Sequence, residues 1–138
     1  MVGLAGGRSE ALDALMRPLG LVEWGDEASL DRLGVLAGCG PAFVYRFIDA
    51  LAAAGTSIGF GEEQALRLAI ATVEGAGLLA AQADAPPAVL ADRVASPGGS
   101  TRKGLDVLDA DGAIKALLRA TLDAAAKRSA EMAAAARR

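Results

Sequence analysis

The segment LAGCGPAFVYRFIDALAAAG, residues 36–55, predicts a helix with almost no polar side. Pro41 suits the first turn of a helix because an N–H in that turn has no helical partner to lose, and Gly55 is typical of a helix end. Apolar side chains spread over nearly the whole circumference: Phe43, Val44, Phe47, Ile48, Ala50 and Leu51. A helix of this kind is buried, and we predict that residues 41–54 are buried between subunits.

The GCG segment just before this helix, residues 38–40, allows two interpretations. It resembles the start of a dinucleotide-binding fingerprint, but that motif needs a preceding strand, Gly or Ala at position 43, and an acidic residue about 20 residues further on. Position 43 is Phe, and residues 26–37 carry leucines at helical spacing. We therefore predict a helix break that allows close packing. Cys39 is interpreted as a small packed residue, since no histidine is present to activate it.

Composition limits the size and the type of core. The chain has 138 residues, which suits one compact domain, and 53% of them are hydrophobic while only 4% are aromatic. The core must therefore consist mainly of Ala, Leu, Val and Ile. Because small side chains bury little area each, helices built from them must approach closely or pack against a second chain.

Charge and cysteine content argue against several classes of protein. A net charge of −3 is opposite to the basic surface that nucleic acid requires, so no nucleic-acid partner is predicted. Cys39 is the single cysteine, which excludes an internal disulfide and fits a reducing compartment. The chain opens without a signal-peptide pattern, and no apolar run of about 18 residues is free of charge. We predict a cytoplasmic protein without a membrane partner and, since it has no histidine, without a metal site.

The first 24 residues differ in pattern from the rest. Short apolar runs flank the helical segment SEALDALMRPLG, residues 9–20, so this part predicts strand, helix and strand. Such a unit normally belongs to a larger parallel sheet, because two strands alone are marginally stable. From residue 25 to residue 138 the pattern is helical, and the fold class predicted for that part is all-α.

Gly75 and Gly77 lie inside a long predicted helix, residues 62–83. Each costs about 1 kcal/mol relative to Ala in a helix interior. One interpretation is tolerated flexibility, and the other is that a second helix packs closely against this point. We favour close packing.

The segment RVASPGGSTRKG, residues 93–104, separates two predicted helices. Two glycines followed by Ser100 and Thr101 at a helix start present backbone N–H groups without helical partners, and the helix dipole favours an anion such as a carboxylate there. The alternative is a Pro-Gly turn in which Ser96 or Ser100 caps the next helix. The residues alone leave both interpretations open.

Two motifs in the same order and spacing resemble the C-terminal domain of pyrroline-5-carboxylate reductase. That family has a G-S-G-P-A motif that opens a long helix, followed by an S-P-G-G-x-T motif at a helix start. Here residues 38–42 read GCGPA, with Cys39 in place of the usual Ser, and residues 96–101 read SPGGST. The resemblance covers residues 25–138, and residues 1–24 are similar to the last strand-helix-strand of the family's nucleotide domain.

The resemblance implies an interlocked helical dimerisation domain preceded by a remnant of an α/β nucleotide domain. The family reduces 1-pyrroline-5-carboxylate, a small imino acid, to L-proline with NADPH or NADH. Its active site lies between the nucleotide domain of one subunit and the helical domain of the partner. A homodimer is therefore expected, or a higher oligomer built from dimers.

The resemblance also implies roles for the residues of the second motif. The backbone of Gly98, Gly99 and Ser100 is expected to hold the substrate carboxylate. Thr101 is expected to be the catalytic residue, hydrogen-bonded to the ring nitrogen. The remaining residues expected to line the substrate site are Val94, Ser96 and Pro97.

The Gly-rich strand-turn-helix of a nucleotide domain is missing from this sequence. The chain is expected to be either a fragment of a longer enzyme or a natural truncated paralogue. We expect the chain alone to bind NADPH or NADH weakly at best and to be inactive. A second hypothesis is a non-catalytic helical dimerisation module, for which Cys39 in place of Ser is mild evidence. The substrate is either pyrroline-5-carboxylate or a related cyclic imino acid.

Overall fold

The structure is a computed structural model that describes residues 1–137, and within it the chain divides into two compact units. The first unit comprises Met1–Phe43 and the last helix from Leu118 onward, and the second comprises Val44–Leu117. The described elements are β1 (Val2–Ala5), α1 (Glu10–Met16), β2 (Val22–Gly25), α2 (Glu27–Leu33), α3 (Cys39–Ser57), α4 (Glu62–Gln82), α5 (Pro87–Arg93), α6 (Ser100–Asp109) and α7 (Ala113–Ala136).

The N-terminal segment forms strand, helix and strand, as the sequence predicts. Strands β1 and β2 pair in parallel, with Val2 opposite Val22 and Leu4 opposite Trp24. Helix α1 connects them and begins at the N-cap Ser9, whose side chain accepts a hydrogen bond from the Leu12 amide. The predicted fold class, helical with a short N-terminal strand-helix-strand, is confirmed. The assignment of residues 1–24 to a separate domain remains a prediction, because the two compact units do not divide there.

A buried carboxylate holds the N-terminal segment together. Asp13 on α1 is 8% exposed and accepts hydrogen bonds from the Trp24 indole N–H, at 3.0 Å, and from two nitrogens of the Arg17 guanidinium, at 3.0 and 2.8 Å. The hydrogen bond from Trp24 and those from Arg17 stabilise the charged form and lower the pKa of Asp13. Helix α1 is thereby tied to strand β2.

The predicted break at residues 38–40 is wrong. Helix α2 continues through a π-helical segment, Gly34–Gly38, directly into α3, so the backbone is helical from Glu27 to Ser57. Cys39 keeps right-handed helical backbone angles, with φ −86° and ψ −25°. Glycine lowers helix propensity but does not forbid the helix, and a π segment changes the hydrogen-bond pattern without ending it.

Small residues bring α3 and α4 together in the second unit. A Cβ atom added at Gly55 would lie 3.2 Å from the Cβ of Ala65, and Ala65 and Ala69 are each 3% exposed. At Gly75 and Gly77, in contrast, no described atom outside their own helix lies within 4 Å of an added Cβ. No helix among residues 1–137 packs closely at those two glycines, and close packing there remains a prediction.

Much of the apolar surface of α3 and α4 is uncovered within the chain. No residue of α3 is buried, and Phe47 is 49% exposed. By length and composition alone, the helix from Glu27 to Ser57 and helix α4 are apolar enough to cross a membrane. Helices buried between protein subunits have the same composition. The expectation of no membrane partner therefore remains a prediction.

Candidate functional site

The loop between α5 and α6, residues 94–99, is anchored at its start by the end of α5. The Val94 amide donates to the Leu90 carbonyl at 3.3 Å, and the Ala95 amide donates to the Asp92 carbonyl at 3.1 Å. Ala95 is buried, being 7% exposed, whereas Val94 is 72% exposed. The apolar contact of Ala95 thus fixes the loop while the Val94 side chain stays accessible.

Residues 96–99 form a tight turn that matches their sequence. The Gly99 amide donates to the Ser96 carbonyl at 3.0 Å, and Gly98 has a φ of +70°. Proline followed by a residue with positive φ is the signature of a type II turn, in which glycine is favoured at the second central position. The Pro-Gly part of the turn interpretation is therefore correct.

The turn leaves no room for a side chain at Gly99. A Cβ atom at this position would lie 2.5 Å from the Ser96 side-chain oxygen and 3.1 Å from the Ser96 carbonyl oxygen. These distances are shorter than van der Waals contact, so any side chain at Gly99 would displace Ser96. The amide of Gly99 is engaged in the turn, so this residue contributes space rather than the backbone donor expected from the resemblance.

Helix α6 begins without a side-chain cap. Its N-cap is Gly99, and neither Ser96 nor Ser100 occupies the capping position, so the serine-cap interpretation is wrong. The amides of Ser100, Thr101 and Arg102 form the first turn and donate to no acceptor among residues 1–137. Three such donors at the positive end of a helix dipole form a favourable position for an anion.

The predicted site residues lie together on an accessible surface of the second unit. Gly99 is half-buried, and the others are exposed: Val94, Ser96, Pro97, Gly98, Ser100 and Thr101. The Thr101 hydroxyl has no hydrogen-bond partner in the part of the chain that the structure describes, so it is available to donate to or accept from a ligand.

An ion pair that the sequence analysis missed spans this loop. The Arg102 guanidinium contacts the Asp92 carboxylate at 2.6 Å and joins the end of α5 to the first turn of α6. The hydrogen bond to Asp92 raises the pKa of Arg102 further above its ordinary value. The two opposite charges on either side of the Pro-Gly turn were the available sequence signal.

The GCG segment at residues 38–40 does not form a phosphate cradle, and the expectation of no metal site remains a prediction. Residues 38–40 lie inside a continuous helix, where the Cys39 amide donates to the carbonyls of Val35 and Leu36 and no open phosphate cradle is formed. Among residues 1–137, no group of three or more Asp, Glu or Cys side chains is arranged to hold a metal ion.

Comparison with known proteins identifies relatives among the pyrroline-5-carboxylate reductases. Residues 27–132 match the family described as pyrroline-5-carboxylate reductase dimerisation. The chain is 44% identical over 110 residues to the pyrroline-5-carboxylate reductase of Treponema pallidum, covering 80% of this chain and 42% of the relative. It is 36% identical over 125 residues to that of Pseudomonas aeruginosa, covering 90% of this chain and 45% of the relative. The chain thus spans less than half the length of these relatives.

Solved structures agree with the sequence relatives. A pyrroline-5-carboxylate reductase from Coxiella burnetii superposes with a TM-score of 0.85 at 32% identity, covering 94% of this chain and 50% of that one. The pyrroline carboxylate reductase of Plasmodium falciparum, solved with NADP bound, superposes with a TM-score of 0.77 at 30% identity, covering 89% of this chain and 47% of that one. On the matched residues, the chain belongs to the pyrroline-5-carboxylate reductase dimerisation family.

Proposed function

We propose that this chain is the substrate-binding and dimerisation part of a pyrroline-5-carboxylate reductase, and that the start of α6 binds the substrate carboxylate. The observation that carries the proposal is the set of three backbone amides without acceptors, on Ser100, Thr101 and Arg102, directly after the Pro-Gly turn. Family membership supports the substrate class. Cytoplasmic location remains an expectation.

The carboxylate is held by backbone geometry in this proposal. The helix dipole and the amide hydrogens attract the anion, and Gly98 and Gly99 leave the approach open because they carry no side chains. Because the Gly99 amide already donates to Ser96, the donors at the helix start are those of residues 100–102, and the Gly98 amide stays an expected further donor. Val94 supplies apolar contact beside the ring.

Thr101 acts at the other end of the substrate. Reduction of a cyclic imine adds hydride to carbon and a proton to nitrogen. The Thr101 hydroxyl hydrogen-bonds the ring nitrogen, which orients the ring and polarises the imine. By the resemblance to the family, the reducing nucleotide, NADPH or NADH, is expected to be held by a nucleotide-binding domain.

Two copies of the chain are needed for the complete assembly. The uncovered apolar residues of α3 and α4, together with Gly75 and Gly77, support a homodimer whose subunits bury these helices against each other. Assembly of dimers into a higher oligomer is a further expectation.

The test uses L-proline as a carboxylate ligand of the isotope-labelled chain. Titration is expected to shift the amide resonances of residues 100–102 and to leave those of α4 unchanged. In an enzyme completed with a nucleotide-binding domain, Thr101→Ala is expected to lower turnover by about ten- to a thousandfold, and Thr101→Ser to keep most of it. Wild-type turnover in Thr101→Ala would reject the role of Thr101.

The second candidate function is a non-catalytic dimerisation module. Cys39, which stands where the family usually has Ser, is the observation that favours it. A dimer that shows no amide shifts with L-proline would support this candidate over the first.

A further inference from the structure

The ion pair between Asp92 and Arg102 places each charge where its own helix does not favour it. Asp92 is the next-to-last residue of α5, at the negative end of the helix dipole. Arg102 is the third residue of α6, at the positive end. Both placements are mildly unfavourable for an isolated helix, so helix stability alone does not account for either residue.

The pair is well formed although it is accessible to solvent. The Arg102 side chain is 33% exposed, the Asp92 side chain is 67% exposed, and their charged atoms lie 2.6 Å apart. Exposed ion pairs contribute little to folding stability. A purely structural pair at this position would therefore have a small effect on stability and none on ligand affinity.

Arg102 contributes to the candidate anion site in two ways. Its backbone amide is one of the three donors, and its side chain contacts a carboxylate within a side chain's length of those donors. An unneutralised Asp92 at this place would repel a second carboxylate, because like charges separated by about a side chain's length interact even in a partly aqueous environment.

We propose that Arg102 is a specificity-determining residue that cancels the charge of Asp92 beside the α6 N-terminus, so that the site accepts an anionic substrate. This inference rests on the proposed function. It assigns the Asp92–Arg102 pair an electrostatic role in substrate affinity. The raised pKa of Arg102 is consistent with a guanidinium held against an acidic partner.

The experiment measures the dissociation constant of L-proline for the full 138-residue chain, from amide shifts at residues 100–102. Arg102→Gln is expected to weaken binding about three- to tenfold, as expected for one exposed charge about a side chain's length from the ligand. The double variant Asp92→Asn/Arg102→Gln is expected to return to within about twofold of the wild type, since neither charge then remains. High salt is expected to reduce the difference between Arg102→Gln and the wild type.

Two further variants separate charge from structure. Arg93→Gln is the matched control. Arg93 lies next to the loop, but its guanidinium pairs at 3.7 Å with Asp84, a residue that precedes α5. This variant is expected to bind as the wild type does. Arg102→Lys keeps the charge and is expected to keep the affinity, so weak binding by a folded Arg102→Lys would overturn the electrostatic role.

The outcomes distinguish this inference from the proposed function. Wild-type affinity in Arg102→Gln, or a double variant as weak as Arg102→Gln, would overturn the role of Arg102 while leaving the carboxylate site in place. Absence of amide shifts in the wild type would overturn the carboxylate site and this inference with it.

Discussion

The hydrogen-bonded cluster around Asp13 in the N-terminal segment and the second compact unit differ in how many of their interactions one chain completes. In the first, the buried Asp13 carboxylate receives all its hydrogen bonds from Trp24 and Arg17 of the same chain. In the second, three amides of α6 have no acceptor among residues 1–137, and the apolar residues of α3 and α4 have little cover. Interactions that are complete within a chain stabilise its fold, and incomplete ones indicate where a ligand or another chain binds.

This difference also shows that a shifted pKa need not indicate a functional group. Asp13 has a lowered pKa, yet the Trp24 and Arg17 donors that cause the shift occupy the carboxylate and leave it little capacity to act on a ligand. Thr101 is the opposite case, with an exposed hydroxyl and an open helix start beside it. In the proposed function, the unpaired donors of α6 bind the ligand, and the carboxylate with the shifted pKa does not.

The largest effect is expected where the second unit lacks apolar cover. Phe47→Asp should weaken the homodimer on the order of a thousandfold, because each Phe buried in the interface contributes about 2 kcal/mol and a two-fold symmetric dimer loses this contribution from both subunits. Analytical ultracentrifugation measures the change. Asp49→Asn, on the exposed Arg46–Asp49 pair of the same helix, is the control and should remain dimeric. A monomeric wild type at micromolar concentration would show that a second chain does not cover the apolar residues of α3 and α4.

The next effect concerns the open helix start. Gly99→Val should weaken L-proline binding by about ten- to a hundredfold, because its Cβ would collide with Ser96 and distort the turn that presents the amides. Amide-shift titration measures the affinity, and circular dichroism should show that the helices persist. Gly104→Ala is the control, since a Cβ there meets no described atom outside its own helix within 4 Å. Unchanged affinity in Gly99→Val would show that the turn does not position the donors.

A smaller effect is expected at the Asp13 cluster. Asp13→Asn should lower the melting temperature on the order of 5 °C, because the Arg17 and Trp24 donors lose a charged acceptor. L-proline affinity should not change, since all partners of Asp13 belong to the N-terminal segment. Thermal unfolding and titration of the same sample measure both quantities. If Asp13→Asn lowers the affinity for L-proline and leaves the melting temperature unchanged, Asp13 has a role in ligand binding and not in stability.

The smallest effect is the pH dependence of that carboxylate. The folded pKa of Asp13 is lowered, so its stabilising contribution is fully present above the unfolded pKa of about 3.9 and is lost as the pH falls through the lower folded value. Wild-type melting temperature should therefore fall more steeply below about pH 4 than that of Asp13→Asn. If the melting temperatures of the two proteins fall in parallel across this pH range, the charged Asp13 carboxylate does not stabilise the folded state.

The helices and the Pro-Gly turn could be predicted from the sequence, because both depend on residues that are close together along the chain. The spacing of leucines predicts helices, and Pro97 followed by Gly98 predicts a turn from the allowed φ angles of those two residues. The continuous helix across residues 38–40 was missed, because glycine and proline lower helix propensity by amounts that packing in the folded chain can override.

The sequence by itself determined the helical fold class, the Pro-Gly turn and the motif that resembles the family, since each follows from residue type and local spacing. Only the tertiary structure decided which amides of α6 remain without acceptors, that the Gly99 amide is already engaged, and that Asp92 contacts Arg102. The physical reason is distance. Hydrogen bonds and ion pairs depend on positions resolved to a few tenths of an ångström, and spacing along a chain does not specify them.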